Sequence, residues 1–323
     1  MDYNSRLKPI RWKGLCGDPE TVESAEDLES KVDALAAMVE ESRHTVIFTG
    51  AGISTSCGIA DFRGPDGVWT REQKGEVAVD PHNAFNHAIP SFAHNAIACL
   101  LHAGIFTHLV SQNVDGLHLC SGVSEAQLSE LHGKIFKERC TECGKEYMRD
   151  EDVGGMGLKP TGRTCDAPKG ASSSSSSRIS TCGGVLVDMA VDWDTTLPAH
   201  IFKQAHAHMD RADVVICLGS SLRIHPAGNM PLRVLKPKVV RQGRVGKVVV
   251  VNLQKTHLDK KCLKVNHYCD EVMRRLCGRL GVHRKRSASS AVLGAVLNGE
   301  RVRDNNGERK KAAGGGNCDE MYW

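Results

Sequence analysis

The chain has 323 residues, a quarter of them charged, and a formal net charge of +4. That length can hold a large domain and a small one around an ample core, and so slight a charge excess gives no sign of a general nucleic-acid-binding face. The first 25 residues lack an apolar signal-peptide core, and no apolar run nears the ~18 residues of a membrane span, so neither secretion nor membrane insertion is expected. Thirteen cysteines in such a chain read as reduced thiols plus a metal site rather than disulfides.

After a polar lead-in, Asp27 to Ser42 carries Leu28, Val32, Leu35, Ala36 and Val39 at helical spacing. Val46-Ile47-Phe48 reads as a buried parallel strand, and it runs into Gly50-Ala51-Gly52-Ile53-Ser54-Thr55. Glycines there let the backbone turn sharply, approach a ligand closely and open a helix whose free N–H groups face an anion such as a pyrophosphate. Alone, the motif leaves a ligand-free strand-to-helix turn equally open. The third glycine of Gly-x-Gly-x-x-Gly is absent, since Thr55 stands there, and no acidic strand end follows about 20 residues on, which speaks against a dehydrogenase. Instead comes a polar and aromatic loop, Ala60-Asp61-Phe62-Arg63-Gly64.

Pro90 to Gly104 is expected to form a second helix and Phe106 to Val110 a second strand. The strand leads to Gln112-Asn113-Val114-Asp115-Gly116-Leu117-His118, and Leu131-His132-Gly133 lies beyond. Taken singly, these are a polar turn and a structural histidine. Cys140-Thr141-Glu142-Cys143 is followed by Cys165 and Cys182, in a stretch too poor in large apolar residues to fold unaided. Four thiolates in this pattern suit a tetrahedral zinc with no open position, hence a structural one. Six serines, Ser172 to Ser177, suggest a mobile loop within it. Val214–Leu218 and Val248–Val251 read as central strands, ending in Gly219-Ser220-Ser221 and Asn252-Leu253-Gln254, and Glu271 to Leu280 as a closing helix. His200, His206 and His208 lack ligand partners at suitable spacing and are expected to be solvated. The segment after Gly281 carries eight Lys/Arg against five Asp/Glu and reads as a flexible basic tail.

In combination, the glycine turn with its Asp61-Phe62-Arg63 loop, the Gln112–His118 segment, Leu131-His132-Gly133 and the cysteine spacing resemble the sirtuins, NAD-dependent protein deacylases. Ala60 departs from the family's usual proline. The segment Lys13 to Glu20, Asp192-Trp193-Asp194 and Arg223 to Asn229 resemble the nuclear, class IV branch. The resemblance covers roughly residues 8–282. It implies an α/β fold, a Rossmann-like doubly wound parallel sheet with a small inserted zinc-binding module. Boundaries on this reading are an N-terminal segment and helix at 1–44, a discontinuous NAD-binding domain at 45–135 and 190–282, the zinc module at 136–189 with ligands Cys140, Cys143, Cys165 and Cys182, and the tail at 283–323.

The resemblance also implies site roles. His132 would be the general base for a ribose hydroxyl, with Asn113 and Asp115 catalytic beside it. NAD would be held by Gly50, Ala51, Gly52, Ser54, Thr55, Asp61, Phe62, Arg63, Trp69, Gln112, Asn113 and His132, and at its adenosine end by Gly219, Ser220, Ser221, Asn252, Leu253, Gln254 and Cys269. Met189 to Pro198 would touch the substrate peptide. The function implied is NAD-dependent deacetylation of protein lysines, on histones in the nucleus, with release of nicotinamide and O-acyl-ADP-ribose. Mono-ADP-ribosyl transfer, removal of long fatty acyl groups, and non-catalytic chromatin binding through the tail are the alternatives.

Overall fold

The structure, a computed structural model, describes residues 8, 13–76, 81–169, 181–192, 195–196, 198–237, 243 and 245–282. The serine tract, Trp193, Asp194 and the tail from 283 lie outside the described residues. Helix α1 (Ala25–Glu41) begins where Ser24 accepts a hydrogen bond from the Asp27 amide at 3.1 Å, and it buries Leu28, Val32, Leu35, Ala36 and Val39. A cap of this kind stabilises a helix by about 1 kcal/mol. Each large aliphatic side chain so buried adds roughly 1.5–3 kcal/mol before entropy is counted.

Strand β1 (Thr45–Thr49) is fully buried and lies at the centre of a six-stranded parallel sheet. Beside it on one side run β2 (His108–Ser111) and β3 (Leu128–Glu130), and on the other β8 (Val214–Leu218), β9 (Lys247–Val251) and β10 (Leu263–Val265). The order β3-β2-β1-β8-β9-β10 is the doubly wound one, with the direction of winding reversing between β1 and β8. Side chains alternate between two cores. Ile47, Ile216 and Val249 face α1, α4 (Phe92–His102) and α7 (Cys269–Arg279), whereas Phe48, Cys217 and Val250 face α6 (Ala199–Arg211) and the 3-10 segment Ala227–Leu235. A strand covered on both faces is apolar throughout, which is why these runs show no polar alternation.

Between β3 and α6 the chain builds a second, four-stranded sheet in the order β5-β4-β7-β6, from β4 (Gly133–Cys140), β5 (Glu146–Met148), β6 (Pro160–Thr164) and β7 (Val185–Ala190). Its apolar content is small, so the cluster of Cys140, Cys165, Ala167 and Leu186 supplies its own minor core. A third cluster, including Ile59, Phe85, Val114, Ile135 and Ala190, packs where the two sheets meet. No helix among the described residues is long and apolar enough to cross a membrane.

Candidate functional site

The cleft opens at the carboxyl ends of β1 and β8, where the winding reverses and where open α/β sheets bind ligands. Gly50 and Gly219 leave those two strands and cross closely: the Gly50 amide donates to the Leu218 carbonyl at 3.1 Å and the Gly52 amide to the Gly219 carbonyl at 2.8 Å. Gly219 has φ +61°, and a Cβ there would sit 2.3 Å from the Ile53 nitrogen, so neither its conformation nor its surroundings admit a side chain. The helix expected after the glycine turn is not formed. Two 3-10 turns, Ala51–Ile53 and Thr55–Cys57, take its place, because Gly58 at φ +85° turns the chain into the loop that follows.

On the β2 side, Gln112, Asn113 and Asp115 enter the cleft from the loop before the short helix α5 (Leu117–Cys120). Asn113 Nδ2 donates to the Gly50 carbonyl and to Ser54 Oγ, both at 3.2 Å, and Ser54 Oγ donates to Asp115 Oδ2 at 2.7 Å. The other Asp115 oxygen accepts the Leu117 amide at 3.0 Å. Gln112 Nε2 donates to Ser220 Oγ at 2.7 Å across the cleft. His132, at the end of β3, lines the same cavity, and its Nδ1 lies 2.6 Å from the Gln112 carbonyl. A carbonyl can only accept, so Nδ1 carries the proton and Nε2 is left as the basic nitrogen. Burial pushes the His132 pKa below the usual histidine value, outweighing the Gln112 carbonyl, so the ring is neutral near pH 7. Behind it, Glu130 pairs with Lys134 at 2.9 Å, and burial raises the Glu130 carboxyl to about 7 despite that partner.

Arg63 is a buried cation on the cavity wall, only 5% exposed. It stacks over Trp69 with 4.4 Å to the ring centroid, and Nε donates to the Lys13 carbonyl at 2.9 Å. Desolvation lowers its pKa to about 10, and among the described residues no carboxylate lies within ion-pair distance. A desolvated guanidinium of this kind at a glycine-rich turn fits an anionic guest. The chain's own N-terminal segment braces this end. Gln254 Nε2 donates to the carbonyls of Asp18 and Arg63 at 2.8 and 3.1 Å, and Arg223 pairs with Asp18 at 2.8 Å.

In the small sheet, the sulfur atoms of Cys140, Cys143, Cys165 and Cys182 all lie within 4.8 Å of one another, with Cys140–Cys182 at 3.7 Å and Cys143–Cys165 at 3.5 Å. Four sulfurs at 2.3 Å from one zinc would stand about 3.8 Å apart, so the donor set fits that ion. The amides of Glu142 and Cys143 point at Cys140 Sγ at 3.4 and 3.5 Å, donors that favour the thiolate a metal needs.

Two comparisons with known proteins decide the family. The Sir2 family profile matches residues 50–87 and 78–226. The NAD-dependent protein deacetylase Sirt6 of Drosophila melanogaster is 42% identical over 283 residues, covering 87% of this chain and 85% of that protein. This chain belongs to the Sir2 family. The NAD-dependent protein deacetylase SRT1 of Arabidopsis thaliana is 44% identical over 267 residues, 83% of this chain. The chain spans about half the length of that relative, 52%. Among solved structures, a Sir2–p53 peptide–NAD+ complex superimposes with a TM-score of 0.56 at 29% identity, covering 78% of this chain and 99% of the other. A complex of Sir2 bound to acetylated peptide gives 0.56 at 27%, again covering 78% and 99%.

Not every residue expected to hold a cofactor in this Sir2 chain reaches the cavity wall. Gly50, Ala51, Gly52, Ser54, Asp61, Phe62, Arg63, Gln112, Gly219, Ser220, Ser221, Asn252 and Gln254 do, with Asn113, Asp115 and His132. Trp69 is instead buried behind the wall, its ring 4.9 Å from Phe62. Thr55 is exposed and bonds back to the Gly52 carbonyl at 3.2 Å. Leu253 offers its carbonyl to Thr21, and Cys269 packs in the core at the start of α7. Residues 13–21 brace the cleft, a role no local pattern signals, although Lys13 to Glu20 is one of the segments with a family likeness. Of the three histidines expected to be solvated, His200 is exposed, His206 is partly buried against Phe202 at 4.4 Å, and His208 is stacked inward on His108 at 3.7 Å and on His44 at 5.3 Å.

Proposed function

We propose that this protein is an NAD-dependent protein-lysine deacetylase with His132 as its general base. The observation that carries the reading is the His132 ring: held by Nδ1 on a backbone carbonyl, neutral, and presenting a basic Nε2 in the cleft that also holds Arg63 and the glycine crossing. When bound, NAD would supply a ribosyl–nicotinamide bond whose cleavage leaves electrophilic carbon within reach of an acyl-lysine amide. Arg63 and the amides of the glycine turn would hold the pyrophosphate, and Ser221, Asn252 and Gln254 the adenosine end. Asn113 and Asp115 would fix the loop beside the reacting end, and His132 Nε2 would be the basic atom placed to accept a proton there. Cys140, Cys143, Cys165 and Cys182 would hold a structural zinc.

Support for the substrate class comes from the relatives' names as protein deacetylases and from solved Sir2 complexes with acetylated peptide. We infer further that the acylated lysines are those of histones and that the protein works in the nucleus, from the likeness to Sirt6 and sirtuin-7 and from the basic runs of the tail. The test is incubation with labelled NAD and a panel of acetyl-, long-acyl- and unmodified lysine peptides, read by mass spectrometry. Free lysine, nicotinamide and O-acetyl-ADP-ribose are expected from acetyl peptides. Label transferred to protein instead would establish ADP-ribosyl transfer, and preference for the long chains would make the enzyme a defatty-acylase. Absence of any product would leave only a binding role.

A further inference from the structure

One element of the Gln112–His118 segment takes no part in the reading above. His118 is fully enclosed, 2% exposed, and never reaches the cleft. Its Nε2 lies 2.9 Å from Thr49 Oγ1 at the end of β1. Thr49 donates its single hydroxyl proton to Ser111 Oγ at 3.0 Å, so His118 is the donor to Thr49 and its own proton sits on Nε2. Ser111 Oγ also accepts the Asn113 amide at 3.1 Å. That amide belongs to the Gln112–Asn113 peptide unit, and the carbonyl of the same unit accepts the proton of His132 Nδ1 at 2.6 Å.

Thus one peptide plane is held at both ends, by the buried chain on its N–H side and by the base on its C=O side. A peptide unit is rigid about its C–N bond, so fixing the N–H direction fixes the C=O direction. Thr49, Ser111 and His118 are each at most 2% exposed, so no water competes for these bonds and each is worth more than at a surface. We propose that His118 is a positioning residue, which through Thr49, Ser111 and the Gln112–Asn113 peptide sets the orientation and basicity of the His132 imidazole. The proposal rests on the deacylase reading only for its kinetic consequences.

The groups facing this chain are few. His94 on α4 packs its ring 4.8 Å from that of His118, and Asp115 and Asp270 act electrostatically on His94. Burial, then the neighbouring His94, keeps His118 neutral through the pH range of an activity assay. Among the described residues nothing charged acts on His132 directly; only burial and the Gln112 carbonyl move its pKa, and the carbonyl moves it upward. Loosening the peptide therefore lowers the His132 pKa.

Thr49→Val removes the middle hydroxyl with little change in volume, and His118→Leu removes the terminal donor. His118→Gln keeps an N–H donor near the Nε2 position and serves as the rescue. With acetyl peptide and NAD, Thr49→Val and His118→Leu should lower kcat about tenfold and leave KM for NAD within about twofold, while His118→Gln recovers most of the loss. The acid limb of the kcat profile should move to lower pH in the first two. Nitrogen NMR of the His132 ring, titrated in each variant without substrate, reads the same shift independently of turnover. A His132 titration and tautomer unchanged in folded Thr49→Val would overturn the proposal, as would activity falling only in step with melting temperature in all three variants. A wild-type protein without turnover sinks the deacylase reading, and the NMR titration then still decides the role of His118.

Discussion

At residue scale, the proposed base role of His132 rests on the nitrogen that the Gln112 carbonyl leaves bare. General-base catalysis contributes about 10²–10⁴-fold, so His132→Ala should lower single-turnover acyl transfer by on the order of 100-fold or more. NAD affinity should change far less, because Arg63 and the amides of the glycine turn, which would hold the pyrophosphate, are left intact. Melting temperature and NAD affinity measured on the same sample check this, and a stable variant with near-normal turnover would remove His132 from the mechanism. The pH dependence has a definite sign. Burial holds the His132 pKa below the usual histidine value, so a base role predicts activity that is full near neutral pH and is lost as pH drops through the lowered pKa. Gly219→Ala tests the crossing: with φ +61° and a Cβ 2.3 Å from the Ile53 nitrogen, it should cost well over 1 kcal/mol in denaturant unfolding and weaken NAD binding together.

Among the elements, the small sheet is the one that cannot stand on its apolar contacts. Its core is two cysteines, an alanine and a leucine, packed by Tyr147 and Cys182. Binding of zinc by its four thiolates is therefore folding energy for this element. Cys143→Ser, or chelation of the wild type, should remove one zinc per chain by elemental analysis and lower the melting temperature by about 5 °C or more. Because β4 follows His132 directly and β7 pairs with it, activity should fall as well. Undiminished metal content in Cys143→Ser would refute the four-cysteine assignment. Helix α1 behaves oppositely: Leu35 is fully buried, so Leu35→Ala should cost about 2–5 kcal/mol while sparing the zinc.

For the whole molecule, part of the acid stability is set far from the cleft. His44 immediately precedes β1 and His108 opens β2, at the sheet's other end, and both stack with His208 of α6. Burial, then neighbouring imidazoles, lowers His44 to about 4 and His108 to about 3. The folded state therefore holds neutral rings that the unfolded chain would protonate below about 6.5. Stability is full above that pH and is lost progressively as pH falls toward the lowered values, at up to about 1.4 kcal/mol per pH unit for each ring. Urea unfolding at pH 7.5 and pH 5 should show this loss, and His108→Phe should flatten it; an unchanged slope would show that the cluster contributes nothing.

The sequence by itself determined the elements whose signal is local. Helical spacing placed α1 and unbroken apolar runs placed β1, β8 and β9, and the cysteine pair and glycine turn stood out by spacing over a few residues, whereas His132 was singled out only by the family resemblance of the motifs in combination. The three-residue strand β3 and the thinly apolar second sheet were not legible, because their stability comes from pairing partners distant in sequence. Only the tertiary structure decided which nitrogen of His132 is basic, because that depends on the Gln112 carbonyl, 20 residues away. It alone showed that Trp69 stands behind Arg63, that residues 13–21 brace the cleft and that His208 is stacked inward. Hydrogen bonds and ring contacts between distant segments depend on where the backbone carries them, and composition and spacing do not encode that position.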